Sequence, residues 1–143
     1  IEILHDVWTG QPQAASYEHY QVPGGLLSYP TPDHDIPILV GGMSNAAVRR
    51  AGRLGDGWLA FQQAGDLDLA ALRSGYERMQ ATASEAGRTA DRMVVRLTGP
   101  LDDAVAAMPE LEAVGVDEVI VEVDWLAPDG PERTLERMRN GTY

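Results

Sequence analysis

The chain has 143 residues, 44% hydrophobic and 23% charged, with 15 Gly, 9 Pro and no Cys, a composition that excludes disordered and fibrous classes. A core of this size buries roughly two-thirds of the unfolded surface without a disulfide or a metal. Eleven basic residues against 22 acidic ones give a net charge of -11, which repels phosphate backbones and anionic membranes, so neither nucleic acid nor a membrane is an expected partner.

All 11 basic residues are Arg. Without Lys there is no Schiff-base amine and no P-loop, and without Cys there is no thiol nucleophile or thiolate metal site. His5, His19 and His34 fit no metal-ligand spacing and read as isolated surface residues, so no metal is expected. No apolar run approaches the roughly 20 residues of a membrane span, and no signal-peptide pattern opens the chain. A cytoplasmic location is expected.

Ile1 to Trp8 reads as the last turns of an amphipathic helix, with Ile1, Leu4 and Trp8 on one stripe and Gly10 as its stop. A chain that opens inside a helix with a developed apolar face is expected to be a fragment. Ser16 to Val22 and Leu26 to Tyr29, separated by Pro23-Gly24-Gly25, predict a hairpin, and Pro30, Pro32 and Pro37 mark an extended connection. Ile36 to Val40 is apolar throughout, as buried parallel strands are, with Pro37 tolerated near its start. Ser44 can cap a helix over 45–54 with Val48, Ala51 and Leu54 on one face and Arg49, Arg50 and Arg53 elsewhere.

A second strand follows at 56–61, then a helix over 66–86 with Leu69, Leu72, Tyr76, Met79 and Ala83 inward. Met93 to Thr98 is a third strand, and 101–114 a helix whose Pro109 predicts a kink or restart. Glu118 to Trp125 is a fourth strand, and 131–139 a last helix with Leu135 and Met138 inward. Strict alternation implies parallel strands with right-handed crossovers, in either a barrel or an open doubly wound sheet. Four βα units are half of a (β/α)8 barrel, whose complete form needs about 250 residues.

Alternation within the strands separates two faces. Val119, Val121 and Val123 should meet the helices, as should Met93, Val95 and Leu97. Arg96 and Glu122 then fall on the barrel's interior face as an expected ion pair, with Thr98 and Asp124 nearer the catalytic rim. Phe61, Gln62, Gly99 and Trp125, at or near strand carboxyl ends, are further candidates to line a site. The Gly41-Gly42-Met43-Ser44 stretch links the carboxyl end of a strand to the amino end of a helix, where unpaired N–H groups and the helix dipole favour a phosphate. The same residues also make a tight turn with a Ser cap, which needs no ligand. Arg49, Arg50 and Arg53 either add positive charge near that site or form a solvated helix face.

From Pro37-Ile38-Leu39-Val40-Gly41-Gly42-Met43-Ser44-Asn45 through Arg53-Leu54-Gly55-Asp56-Gly57-Trp58 the sequence resembles the luciferase-like monooxygenase family, which uses flavin mononucleotide (FMN) or the deazaflavin coenzyme F420. The likeness extends back through Val7-Trp8-Thr9-Gly10 and forward to Ala113-Val114-Gly115-Val116-Asp117, covering most of the chain. It implies the α/β fold of the C-terminal half of a (β/α)8 TIM barrel, strands five to eight, with residues 1–143 as one partial domain and 11–35 as a hairpin insertion with its Pro-rich connection. It implies cofactor-phosphate binding by Gly41, Gly42, Met43, Ser44 and Asn45, and gives Asp56 and Trp58 the role of fixing the start of the next strand. The catalytic residue is not assigned, because the missing first four strands usually carry it. The activity implied is hydride transfer between F420 and a small organic substrate in a homo-oligomer. FMN-dependent monooxygenation with O2 is the alternative, and a non-catalytic half-barrel that self-associates or binds only a cofactor phosphate is the third.

Overall fold

The computed structural model describes residues 1–140, which form two compact units that divide between Ile38 and Leu39. The first holds helix α1 (Glu2–Trp8) and a two-stranded antiparallel hairpin, β1 (Ala15–Ser16) and β2 (Gln21–Val22). No residue of α1 is buried, and Leu4, expected on its inner stripe, is exposed. The hairpin turns earlier than expected. Tyr17 N–H donates to the Tyr20 carbonyl at 2.7 Å, so the stretch read as one strand folds back on itself, and Pro23-Gly24-Gly25 lies beyond the second strand. Leu26 to Tyr29 forms no strand.

The second unit is a four-stranded parallel sheet in the order β3 (Leu39–Gly41), β4 (Gly57–Gln63), β5 (Arg92–Thr98), β6 (Glu118–Ile120). Helices α2 (Asn45–Leu54), α3 (Leu69–Glu85) and α4 (Leu101–Ala113) make the crossovers, and α5 (Gly130–Asn140) follows β6. Strand order that advances in one direction through right-handed crossovers puts every crossover helix on the same side of the sheet. A doubly wound sheet reverses direction, so the order β3-β4-β5-β6 selects the barrel alternative.

Burial follows the register. Trp58, Ala60, Met93, Val95 and Leu97 are buried on the helix-covered face, with Trp58 opposite Met93 and Ala60 opposite Val95. On the other face Phe61, Arg96 and Ile120 are exposed, while Val94 is buried. The helices add Val48 and Ala51 from α2, Leu72, Met79 and Ala83 from α3, and Leu111 from α4. Their ends are capped as their sequences direct. Ser44 Oγ accepts from Ala47 N–H at 3.2 Å, and Asp68 Oδ1 accepts from Ala71 N–H at 2.8 Å. Arg88 closes the far end of α2, donating to the Gly55 carbonyl and to Asp56, both at 3.2 Å, as suits a cation at a helix C-terminus.

Four expectations change. β3 begins at Leu39 rather than Ile36, since Pro37 has no N–H for the ladder and Ile36 is exposed. β6 ends at Ile120, where its pairing with β5 stops, and Trp125 N–H donates to the Val123 carbonyl as the chain turns away. α4 continues through Pro109 without a restart. In α5 the buried side chain is that of Thr134, whose hydroxyl donates to the Gly130 carbonyl at 2.8 Å, while Leu135 is exposed.

Asp117 fixes the register of β6. Its N–H donates to the Met93 carbonyl at 2.9 Å and its Oδ2 accepts the Met93 N–H at 2.7 Å. Tyr76 donates to the Asp91 carbonyl at 2.8 Å, and burial, with the nearby Asp117 and Asp91 charges, holds its phenol above the ordinary value of 10.0. The folded state therefore keeps this proton more tightly than the unfolded chain does. That contribution is complete below about pH 10 and is lost as pH rises through the folded value. Denaturant melts taken upward from pH 9 should show a loss of stability that is smaller in Tyr76→Phe. Urea unfolding should also separate Leu72→Ala, which costs about 2–5 kcal/mol from the closed core, from Leu135→Ala, which stays within about 0.5 kcal/mol.

Candidate functional site

β3 delivers Gly41 to the carboxyl edge of the sheet, and Gly42, with φ of 124°, turns the chain into α2. A Cβ at position 42 would stand 2.9 Å from the Ala47 Cβ and would strain the backbone, so the turn requires glycine. Ser44 is the N-cap, and the N–H groups ahead of Ala47 are beyond the reach of any intrahelical carbonyl. The five residues singled out by the sequence, Gly41, Gly42, Met43, Ser44 and Asn45, thus form one continuous turn at the amino end of a ten-residue helix.

Their side chains are already engaged. Met43 Sδ accepts from Phe61 N–H at 3.3 Å, and Asn45 Oδ1 accepts from the Arg78 guanidinium of α3. Ser44 Oγ spends one lone pair on Ala47 and keeps its proton to donate. What the turn offers a ligand is peptide N–H, one hydroxyl and a Gly41 backbone with no Cβ. The offer suits a tetrahedral anion and suits neither a metal ion nor a carbonyl-lined cation site. Among the described residues no cluster of His, Asp and Glu is placed to hold a metal, and all three His are exposed.

Arg78 is the residue that the sequence did not reveal. A guanidinium at a helix N-terminus opposes the dipole, and here it is held by a bond to the first residue of α2. A phosphate on the turn would reverse that opposition. Arg49, Arg50 and Arg53 are exposed, on the solvated face.

Trp58 lies beneath the turn. It is 1% exposed, and its indole Nε1 donates to the Gly42 carbonyl at 2.7 Å. Gly75 of α3 lies against the ring, where any Cβ would collide with it.

On the open face Arg96 and Glu122 pair at 3.3 Å, as the alternation predicted, and Arg92 pairs with Glu118 one rung below. A cleft of about 360 Å³ at the carboxyl ends of β5 and β6 is lined by Gly99, Leu101, Glu122, Val123, Asp124, Arg133 and Thr134. Asp124 shapes its rim by accepting from Leu126 and Ala127 N–H at 3.1 and 3.2 Å. Phe61 lies on the open face, whereas Gln62 turns to the other side and accepts from Asp68 N–H at 2.9 Å; Trp125 lies past β6, 76% exposed.

Parallel βα units wound in one direction, with a glycine turn at the strand carboxyl ends, define half of a (β/α)8 barrel. The family model for luciferase-like monooxygenases matches residues 1–101, and the chain belongs to that family. An uncharacterized protein of Mycobacterium tuberculosis is 38% identical over 123 residues, 85% of this chain and 40% of the relative. An F420-dependent glucose-6-phosphate dehydrogenase of Nakamurella multipartita is 27% identical, aligned over 97% of this chain and 48% of its own. The F420-dependent tetrahydromethanopterin reductase of Methanopyrus kandleri superposes with a TM-score of 0.67 at 14% identity, over 99% of this chain and 59% of that one. The chain spans less than half the length of these two relatives, and its fold is the C-terminal half of the barrel.

Ser44→Ala removes the α2 cap and should lower unfolding stability by about 1 kcal/mol. Replacement by Asp, which caps but adds an anion at the turn, should restore stability and abolish any affinity for phosphate, a separation that paired melts and anion titrations would read.

Proposed function

We propose that the protein carrying this chain is an oxidoreductase that moves a hydride between coenzyme F420 and a small organic substrate, and that this chain holds the cofactor phosphate. The observation that carries the reading is the Gly42 turn, a glycine-only bend that presents first-turn N–H groups where a phosphate gains most from the helix dipole. Family membership and the F420-dependent relative of Nakamurella support the choice of cofactor. Bound F420 supplies the hydride-carrying ring, and the protein's share is to hold, orient and shield it.

In this reading the turn of Gly41, Gly42, Met43, Ser44 and Asn45 seats the phosphate, its glycines allowing close approach and the peptide N–H groups beyond Gly42 donating, with the Ser44 hydroxyl donating and Arg78 adding charge. The cleft lined by Glu122 and Asp124 lies beside the substrate. Residues 1–143 form one partial domain with 11–35 as its insertion, and the complete protein works in the cytoplasm as a homo-oligomer. The second reading, FMN-dependent monooxygenation, is favoured by the family's own description as monooxygenases. A self-associating half-barrel is favoured by the open sheet face.

Fluorescence titration with each cofactor, followed by turnover assays, decides among them. Saturable F420 binding with substrate-dependent bleaching of F420 is the expected result. Saturable binding of reduced FMN with O2 consumption would move the assignment to a monooxygenase. Binding of neither, with a mass of twice 15.5 kDa in solution, would leave the half-barrel assembly.

A further inference from the structure

We propose that Trp58 is a positioning residue for the cofactor phosphate, because its indole N–H holds the Gly42 carbonyl and thereby aims the Met43 N–H at the ligand. The inference rests on the turn's role as the phosphate site and adds the device that sets its geometry. A trans peptide is planar, with its C=O and N–H antiparallel. The Gly42–Met43 bond is trans, since the one cis bond among the described residues precedes Pro30. The Gly42 oxygen is drawn toward the helix-covered side of the sheet by Trp58 Nε1 at 2.7 Å. The Met43 N–H must then point the opposite way, out of the helix layer.

Glycine at 42 has wide freedom about φ and ψ, so sequence alone leaves this peptide free to flip. Three contacts remove that freedom. Gly42 N–H donates to the Leu59 carbonyl at 3.2 Å, Met43 Sδ takes the Phe61 N–H, and the indole takes the Gly42 oxygen. The third comes from a rigid side chain with almost no exposure, wedged against Gly75, so it cannot follow the turn if the turn moves. A buried indole N–H requires an acceptor, and here that acceptor is the carbonyl of the turn itself. A phosphate that accepts from Met43 N–H would polarise the same peptide and strengthen the bond on its other side.

The test compares each phosphorylated cofactor with its phosphate-free riboside, FMN with riboflavin and F420 with its deazaflavin riboside, on wild type and Trp58→Phe. The substitution keeps an aromatic ring and deletes the N–H. Affinity for the phosphorylated form should fall roughly three- to tenfold while the riboside's stays within about twofold. Equal loss for both forms, or loss for neither, overturns the proposal.

If Trp58→Phe does not fold, hydrogen exchange of the Trp58 indole N–H in the wild-type protein replaces it, with the resonance assigned through Trp8→Phe and Trp125→Phe. Phosphorylated cofactor should slow that exchange more than the riboside does, and equal rates with both overturn the proposal. A wild-type protein that binds FMN and F420 no more tightly than their ribosides overturns the phosphate role of the turn itself, and the role of Trp58 with it.

Discussion

Parallel strands can share hydrogen bonds only if the chain travels back along the sheet between them, and each return here is a helix. The three returns advance in one direction, β3 to β6, so handedness commits all of them to one face. Everything else in the second unit follows from that commitment. The covered face takes Trp58, Ala60, Met93, Val95 and Leu97, and the other holds buried Val94 together with Phe61, Ile120 and two Arg–Glu pairs. Parallel sheets occur almost only with both faces covered. The uncovered face is the one that points inward in a complete (β/α)8 barrel, and the chain spans less than half the length of these two relatives.

The same commitment places the turn. Strand carboxyl ends and helix amino ends meet along one rim, so the Gly42 bend, the Phe61 ring and the cleft beside Asp124 all open there. What distinguishes the Gly42 bend is its support from below. Trp58 fills the layer between sheet and α3, Gly75 makes room for it, and its one polar atom lands on the turn. The Asp-Gly-Trp stretch, read as the start of a strand, therefore also ends the previous one. Asp56 ties to Arg88 at the bottom of α2 while Trp58 reaches its top.

Local signals were legible where they act locally. Ser44 caps the helix that its position predicts, and two-residue periodicity along β5 and from Glu118 onward puts Arg96 beside Glu122. Strand ends were less legible, because a strand stops where its partner stops. Nothing in Glu118 to Trp125 says that pairing with β5 ends at Ile120. The hairpin was misjudged because Tyr17 to Tyr20 closes with one backbone bond between strands of two residues, and no Gly or Pro marks it. In α5 a polar Thr134 took the inner position by bonding to its own helix, a solution that a hydrophobic stripe cannot show. Arg78 on Asn45 and Trp58 on Gly42 join residues 33 and 16 apart, and each depends on how two elements rotate against one another. The turn's five residues were legible as a unit, whereas what holds them was not.

The paired arginines and glutamates of the open face have a kinetic side. Two of each cancel one another locally, while the molecule as a whole carries -11. An anion bound for the rim thus meets a repulsive field on approach and, over the paired residues, a face without net charge on arrival. Added salt screens the first and leaves the second nearly untouched. Capture of an anionic ligand should then speed up as ionic strength rises, the reverse of the behaviour of electrostatically steered pairs.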